Sequence, residues 1–237
     1  MLRGREIAGP DANFLGTRLW KVETREDPHS DKSRLPKNYK PSGYVERSDG
    51  SVQRFEYVWD TYQEVHDTAL SIGRGLIALG CKEFDNIGVF SINRAEWITS
   101  ALGFYSQRLR TVALYATLGP DSIEYIIQHA EIPVVIVSPE NLAILRKTLP
   151  AIKAVTKKIV VIDAIRGGKY GNTLDTVSAE DKAACAEHGI ELLGLSEVIA
   201  LGDSDEHKHI PANLAQRDDI AFVMYNSGTT GQPRGVI

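Results

Sequence analysis

Cysteine, unbroken apolar runs and excess positive charge are all scarce in this sequence. Its two cysteines, Cys81 and Cys185, lie far apart with no metal-ligand spacing around them. That excludes a disulfide scaffold and a zinc module, and it fits reduced packing residues in an intracellular protein. No apolar run approaches the ~20 residues of a membrane-spanning helix. The opening residues, Met1-Leu2-Arg3-Gly4-Arg5-Glu6, have no apolar core and are not a secretory signal. A net charge of −4 argues against a dedicated nucleic-acid binder. No G-x-x-x-x-G-K-[ST] run occurs, which excludes a P-loop kinase or GTPase. No Ser/His/Asp constellation, internal repeat or low-complexity segment is visible either. The remainder is ordinary globular composition, 43% hydrophobic and 24% charged, in a chain long enough to bury a sizeable core.

The most informative stretch is the last, Tyr225-Asn226-Ser227-Gly228-Thr229-Thr230-Gly231-Gln232-Pro233-Arg234-Gly235-Val236-Ile237. It follows Ile220 to Met224, an apolar segment that reads as a buried strand. Glycines let a backbone approach a ligand closely, and successive N–H groups then form an anion-binding concavity. Hydroxyls add donors, and Arg234 adds a fixed charge. A strand opening into such a loop is suited to cradling phosphates. The plainer alternative is an ordinary polar Gly/Thr surface loop.

The rest of the chain leads up to this stretch. Residues 1–50 carry Pro10, Pro28, Pro36 and Pro41 with little periodicity, and read as an irregular arm. Ser48-Asp49-Gly50 is a turn signal between Tyr44-Val45 and Val52 to Phe55, which predicts a hairpin. Thr61 to Gly80 reads as a helix with a Thr61-x-x-Glu64 capping box, an apolar stripe of Val65, Ala69, Ile72, Leu76 and Leu79, and Gly80 past its end. Gly73 and Gly75 read as close helix packing rather than half a dinucleotide fingerprint. Strands and helices then alternate: a strand from Asn86, a helix capped by Asn93, strands at Arg110 to Tyr115, Pro133 to Ser138 and Lys158 to Asp163, and helices opening at Gly119-Pro120 and Ser138-Pro139. Further helices are expected around Ser178 to His188 and Ser196 to Leu201. Near-continuous apolar strands alternating with helices predict an α/β fold, a parallel-rich sheet flanked by helices. The charged run Asp203 to His209 has metal-binding residue types but no ligand spacing, so it reads as a solvated loop. His66 reads as a surface or packed histidine.

The terminal run resembles the phosphate loop of the adenylate-forming (acyl-activating, AMP-binding) enzymes, YTSGTTGxPKGV, with Asn226 in place of threonine and Arg234 in place of lysine. Three further segments resemble the long-chain acyl-CoA synthetase branch: Asn93-Arg94-Ala95-Glu96-Trp97 (NRPEW), Leu114-Tyr115-Ala116-Thr117-Leu118-Gly119-Pro120 (LYDTLGP), and Gln216 to Met224, the DD(L/I)AxIMY lead-in. The resemblance runs from about residue 40 to the end. It implies an ATP phosphate loop of Tyr225, Asn226, Ser227, Gly228, Thr229, Thr230, Gly231, Pro233, Arg234 and Gly235, with Mg²⁺ held together with the phosphates. No metal ligand and no catalytic residue is assigned within the chain. Arg94 either serves that site or pairs with Glu96.

By this resemblance, residues 51–237 are the front part of the large N-terminal domain of such an enzyme, cut at the phosphate loop. The implied reaction activates a fatty acid with ATP to an acyl-adenylate and transfers the acyl group to coenzyme A. The fatty acid, ATP and coenzyme A would be its small-molecule partners. The expected setting is the cytoplasmic side of the endoplasmic reticulum or the peroxisome, with room for peripheral membrane association. The portion present is expected to be inactive by itself. Another adenylate-forming ligase, for an aryl or short-chain acid or an amino acid, is an alternative, as is a non-catalytic nucleotide-binding remnant.

Overall fold

The computed structural model describes residues 2–23, 44–46, 52–115, 117, 119–163, 177–226 and 232–237. The chain begins with α1 (Leu2–Ala8), β1 (Asn13–Glu23), β2 (Tyr44–Glu46) and β3 (Val52–Thr61). The three strands form an antiparallel sheet in the order β1-β3-β2. The predicted hairpin is present, with Tyr44 opposite Arg54 and Glu46 opposite Val52; its turn lies outside the described residues. The expectation of an irregular arm is corrected, because a helix and a long strand occupy part of it. That strand pairs with β3 from Asn13↔Thr61 to Glu23↔Val52. A partner so far along the chain leaves no mark in a local pattern.

The helix α2 (Tyr62–Ala78) opens on the expected capping box. The Glu64 N–H donates to Thr61 Oγ1 at 3.2 Å, and the Thr61 N–H donates to Glu64 Oε2 at 2.9 Å. It closes at Gly80, whose φ of 95° suits a residue without a Cβ. Its stripe is inside: Val65, Ala69, Ile72 and Leu76 are buried. Gly73 and Gly75 are points of close approach. A Cβ at Gly73 would sit 2.7 Å from the Gly103 carbonyl oxygen, and one at Gly75 would strike the Val198 carbonyl.

The remainder is β4 (Asn86–Phe90), α3 (Ala95–Tyr105), β5 (Arg110–Ala113), α4 (Pro120–His129), β6 (Val134–Val137), α5 (Pro139–Arg146), α6 (Leu149–Ile152), β7 (Lys158–Val161), α7 (Ala179–Ala186), β8 (Glu191–Gly194), α8 (Leu195–Asp203), β9 (Phe222–Asn226) and β10 (Arg234–Val236). The α/β expectation holds. The seven-stranded sheet runs β10-β9-β5-β4-β6-β7-β8, parallel except at β10. Helices cover both faces. Ile123, Ile127, Leu145, Ile152 and Cys185 pack on one side with Phe90, Val135 and Val137. Ile72, Leu76, Phe104, Leu195 and Val198 pack on the other with Ile87, Val89 and Ile136. A strand buried on both faces has no polar side to show, which is why these strands read as unbroken apolar runs.

Two local expectations need correcting, and one strand was not anticipated. Asn93 is not the cap of α3; that helix opens one residue later, with Arg94 as N-cap and no side-chain cap bond. The short strand β8, Glu-Leu-Leu-Gly, which sequence reading did not anticipate, is a strand by pairing with β7. The final apolar strand begins at Phe222 rather than Ile220 and is only partly buried, with Met224 51% exposed.

Candidate functional site

Chain order and sheet order together create a crevice. From β4 the chain passes through α3 to β5 on one side, and from β5 through α4 to β6 on the other. The connections leaving the carboxyl ends of β4 and β5 therefore part to opposite faces, the place where open α/β sheets take ligands. β9 lies directly against β5, with Ala113 opposite Met224 and Thr111 opposite Phe222. Three segments singled out by sequence thus leave adjacent strands at one end of the sheet: Asn93 to Trp97 after β4, Leu114 to Pro120 after β5, and the terminal Gly/Thr run after β9. Gly119, at φ 80°, turns the second segment into α4 with Pro120 in its first turn.

Of the expected phosphate-loop residues, Ser227, Gly228, Thr229, Thr230 and Gly231 lie outside the described residues, as do Ala116 and Leu118 of the middle segment. Tyr225, Asn226, Pro233, Arg234 and Gly235 form the mouth of the loop. β10 folds back antiparallel on β9, which sequence reading did not anticipate. Arg234 stands opposite Asn226, Gly235 opposite Tyr225 and Val236 opposite Met224. The two departures from the family pattern, Asn226 and Arg234, are therefore facing partners across one ladder. Both are exposed, whereas Pro233 is buried.

Tyr225 points inward and is 6% exposed. Its hydroxyl lies 2.7 Å from His129 Nδ1, in the last turn of α4. Burial, then the neighbouring Tyr125, pushes the Tyr225 phenol above its ordinary value. The phenol stays protonated, so its O–H is available to donate to Nδ1. Gly235 lies over the tyrosine ring, where an added Cβ would come within 3.2 Å of Cζ.

The lead-in to β9 is held by charge. Arg108 donates from Nε to Asp219 Oδ2 at 2.8 Å and from a terminal nitrogen to Oδ1 at 2.9 Å, a two-pronged pair. The Gln216 N–H adds a bond to Oδ2 at 2.7 Å. The Arg108 side-chain bonds, followed by that backbone donor, bring the Asp219 carboxyl down to about 2. The Thr111 N–H donates to the Ala221 carbonyl at 3.0 Å and continues the seam into the sheet. On the sheet face toward α3, Trp97 stacks on Phe222 with centroids 5.7 Å apart.

Other side chains singled out in the sequence have close partners here. Arg94 pairs with Glu96 at 2.9 Å. His66 lies 3.1 Å from Asp67. Within Asp203 to His209, Lys208 pairs with Asp205 and Ser204 with His207, and among the described residues no three His, Cys, Asp or Glu gather as a metal site. Sequence reading missed His129 and Arg108. Each meets its partner across 96 and 111 residues respectively, so no local spacing could reveal them.

Comparison with known proteins bears on the same features. A family model described as "AMP-binding enzyme" matches residues 45–237. The chain is 35% identical over 182 residues to long chain acyl-CoA synthetase 4 of Arabidopsis thaliana, covering 77% of this chain and 25% of that protein. It is 34% identical over 185 residues to fatty acyl-CoA synthetase A of Dictyostelium discoideum, covering 78% and 25%. It therefore spans about a quarter of the length of these curated relatives. The adenylation domain of a carboxylate reductase from Mycobacterium chelonae superposes with a TM-score of 0.66 at 18% identity, over 99% of this chain and 33% of that one. The anthranilate CoA ligase AuaEII superposes at 0.60 and 24% identity, over 76% and 29%. At these identities the structures speak to the fold alone. With the strand-end crevice and a match from residue 45 to residue 237 in agreement, the chain belongs to the AMP-binding, adenylate-forming enzymes, and within them it resembles the long-chain acyl-CoA synthetases.

Proposed function

We propose that this chain is the ATP-phosphate-binding part of a fatty acid–CoA ligase, with residues 51–237 belonging to its large AMP-binding domain. One observation carries the reading: β9, the strand that leads into the Gly- and hydroxyl-rich run 227–231, ends beside the crevice at β5 and β4. In the proposed reaction a fatty carboxylate oxygen attacks the α-phosphorus of ATP. The bond from that phosphorus to its bridging oxygen breaks, and pyrophosphate leaves. The thiolate of coenzyme A then attacks the acyl carbon and displaces AMP. The carboxylate is already ionised, so the first step asks for no protein base. It asks for donors preorganised around the departing pyrophosphate. Ser227, Thr229, Thr230 and the backbone at Gly228 and Gly231 are assigned to that task, with Arg234 as the added positive charge. Among the described residues no side-chain cluster fits a divalent ion. Mg²⁺ in this reading arrives with the nucleotide and would add positive charge where the pyrophosphate departs.

Substrate class and compartment are parts of the same proposal: a long-chain fatty acid, and an intracellular address at the endoplasmic reticulum or peroxisome. Among the described residues no helix is long and apolar enough to cross a membrane. The test is acid-dependent ATP–pyrophosphate exchange and thioester formation, comparing the 237-residue chain with a protein of the relatives' full length. Exchange by the longer protein with palmitate, and not with benzoate or an amino acid, supports the reading. Exchange with an aryl or amino acid instead assigns the chain to another branch, and no exchange with any acid favours a non-catalytic nucleotide binder. Palmitoyl-CoA made by the 237-residue chain alone overturns the claim that this part is insufficient.

A further inference from the structure

We propose that His129 is a positioning residue for the phosphate loop, acting through Tyr225. The inference rests on reading residues 227–231 as that loop. β9 and β10 form the two sides of the loop's mouth, and β10 has β9 as its partner in the sheet order. β9 is itself short, and Met224 on it is half exposed. Apolar burial alone therefore holds the mouth weakly. Tyr225 supplies the specific anchor. It is the buried side chain of β9, and its hydroxyl meets His129 Nδ1 at 2.7 Å.

His129 is held in its turn. Its ring stacks on Tyr125 at 5.3 Å between centroids, with the planes 23° apart. It meets the Tyr225 ring edge-on, at 5.8 Å and 89°. The helix that carries it is fixed to the sheet by buried Ile123, Ile126 and Ile127. The contact therefore ties β9 to a helix anchored in the core. Gly235 completes the device from the exit strand. Lacking a Cβ, it lies against the same tyrosine ring, so one aromatic plane sets the height of both ends of the loop. Phosphate binding by backbone donors depends on where those donors are held before the ligand arrives, and β9 and β10 fix where the chain enters and leaves residues 227–231. His129 touches no substrate in this arrangement; it acts through Tyr225.

The experiment uses the 237-residue chain, with ATP and inorganic triphosphate as probes in calorimetry. Amide hydrogen exchange of peptides covering β9 and β10 is followed without ligand. Tyr225→Phe removes the hydroxyl and keeps the ring, His129→Ala removes the acceptor, and His129→Asn restores an acceptor near the Nδ1 position. Expected are an affinity loss of about three- to tenfold for each of the first two, the worth of one hydrogen bond, and no further loss in the double variant. His129→Asn should recover binding. Exchange in β9 and β10 should quicken in the first two variants while that in β6 does not change. If His129→Ala does not fold, Tyr225→Phe and His129→Asn carry the test. Wild-type affinity and unchanged exchange in Tyr225→Phe overturn the positioning role and leave the phosphate-loop reading intact. If the wild type binds neither probe, the phosphate-loop reading fails for this chain. The exchange data still decide whether His129 anchors the mouth.

Discussion

The contact between α2 and α8 gives the sharpest stability prediction. Gly75 of α2 faces the Val198 carbonyl, and Gly202 of α8 faces the Ser71 carbonyl and the Gly75 nitrogen. Two main chains approach closely here, with the Val198 side chain beside the contact. In an unobstructed helix, Gly75→Ala would stabilise by about 1 kcal/mol through backbone propensity. Here the new Cβ meets main chain, which cannot rotate aside, so the helices must part. The parting loosens Leu76, Leu195 and Val198, all buried in the adjoining core. Overpacking of cores costs about 1–3 kcal/mol, and a backbone obstacle puts this site at the upper end. Subtracting the regained propensity leaves a net loss of about 2 kcal/mol, or a fall in Tm of roughly 4–8 °C for a chain of this size. Urea denaturation followed by circular dichroism measures it. Gly80→Ala serves as the comparison: its φ is 95° with nothing within 4 Å of the added Cβ, so it should lose about 1–2 kcal/mol through backbone strain alone. Gly75→Ala combined with Gly202→Ala should cost less than the sum, because one separation of the helices accommodates both methyls. A Gly75→Ala protein as stable as wild type would refute the reasoning, and strictly additive losses would refute the shared-separation part of it.

Other predictions concern charge, the loop mouth and the thiols. Asp219 has a depressed pKa, so its contribution to stability is complete above its ordinary value of 3.8 and is lost as pH falls towards about 2. Acid unfolding of Asp219→Asn should lack that component, and an identical acid limb would sink the assignment. Gly235→Ala brings a Cβ within 3.2 Å of the Tyr225 ring; calorimetry should show weaker ATP binding with little change in Tm, and unaltered affinity would argue that the ring does not set the loop. Because Asn226 and Arg234 face each other, reverting them singly to Thr and Lys should disturb ATP affinity more than reverting both, whereas additive effects would mean that the two positions act independently. Burial pushes the Cys81 thiol up to about 12 and raises Cys185 as well. Iodoacetamide should label neither residue in the native chain and both in urea, so rapid native labelling would contradict the packing.

Much of the fold was legible because its signals are local. Thr61 and Glu64 are one turn apart, Val65 to Leu76 repeat at helical spacing, and the continuous apolar strands announce burial on both faces. The run from Tyr225 to Ile237 stood out in the sequence because its glycines, hydroxyls and arginine are contiguous, the residue types that close backbone approach to an anion calls for. What stayed hidden depends on partners distant in sequence. β1 is a strand because β3 pairs with it, and β8 because β7 does. β10 is a strand because the chain turns back on β9, which places Arg234 against Asn226 and Gly235 on Tyr225. His129 and Arg108 carry no motif; they gain roles only when folding brings Tyr225 and Asp219 to them. Local residue order thus set α2, the buried central strands and the residue types gathered after β9. Tertiary packing alone chose which strands lie side by side, and with them the anchors that hold the loop, because long-range pairing energies depend on which surfaces meet and not on the spacing of residues along the chain.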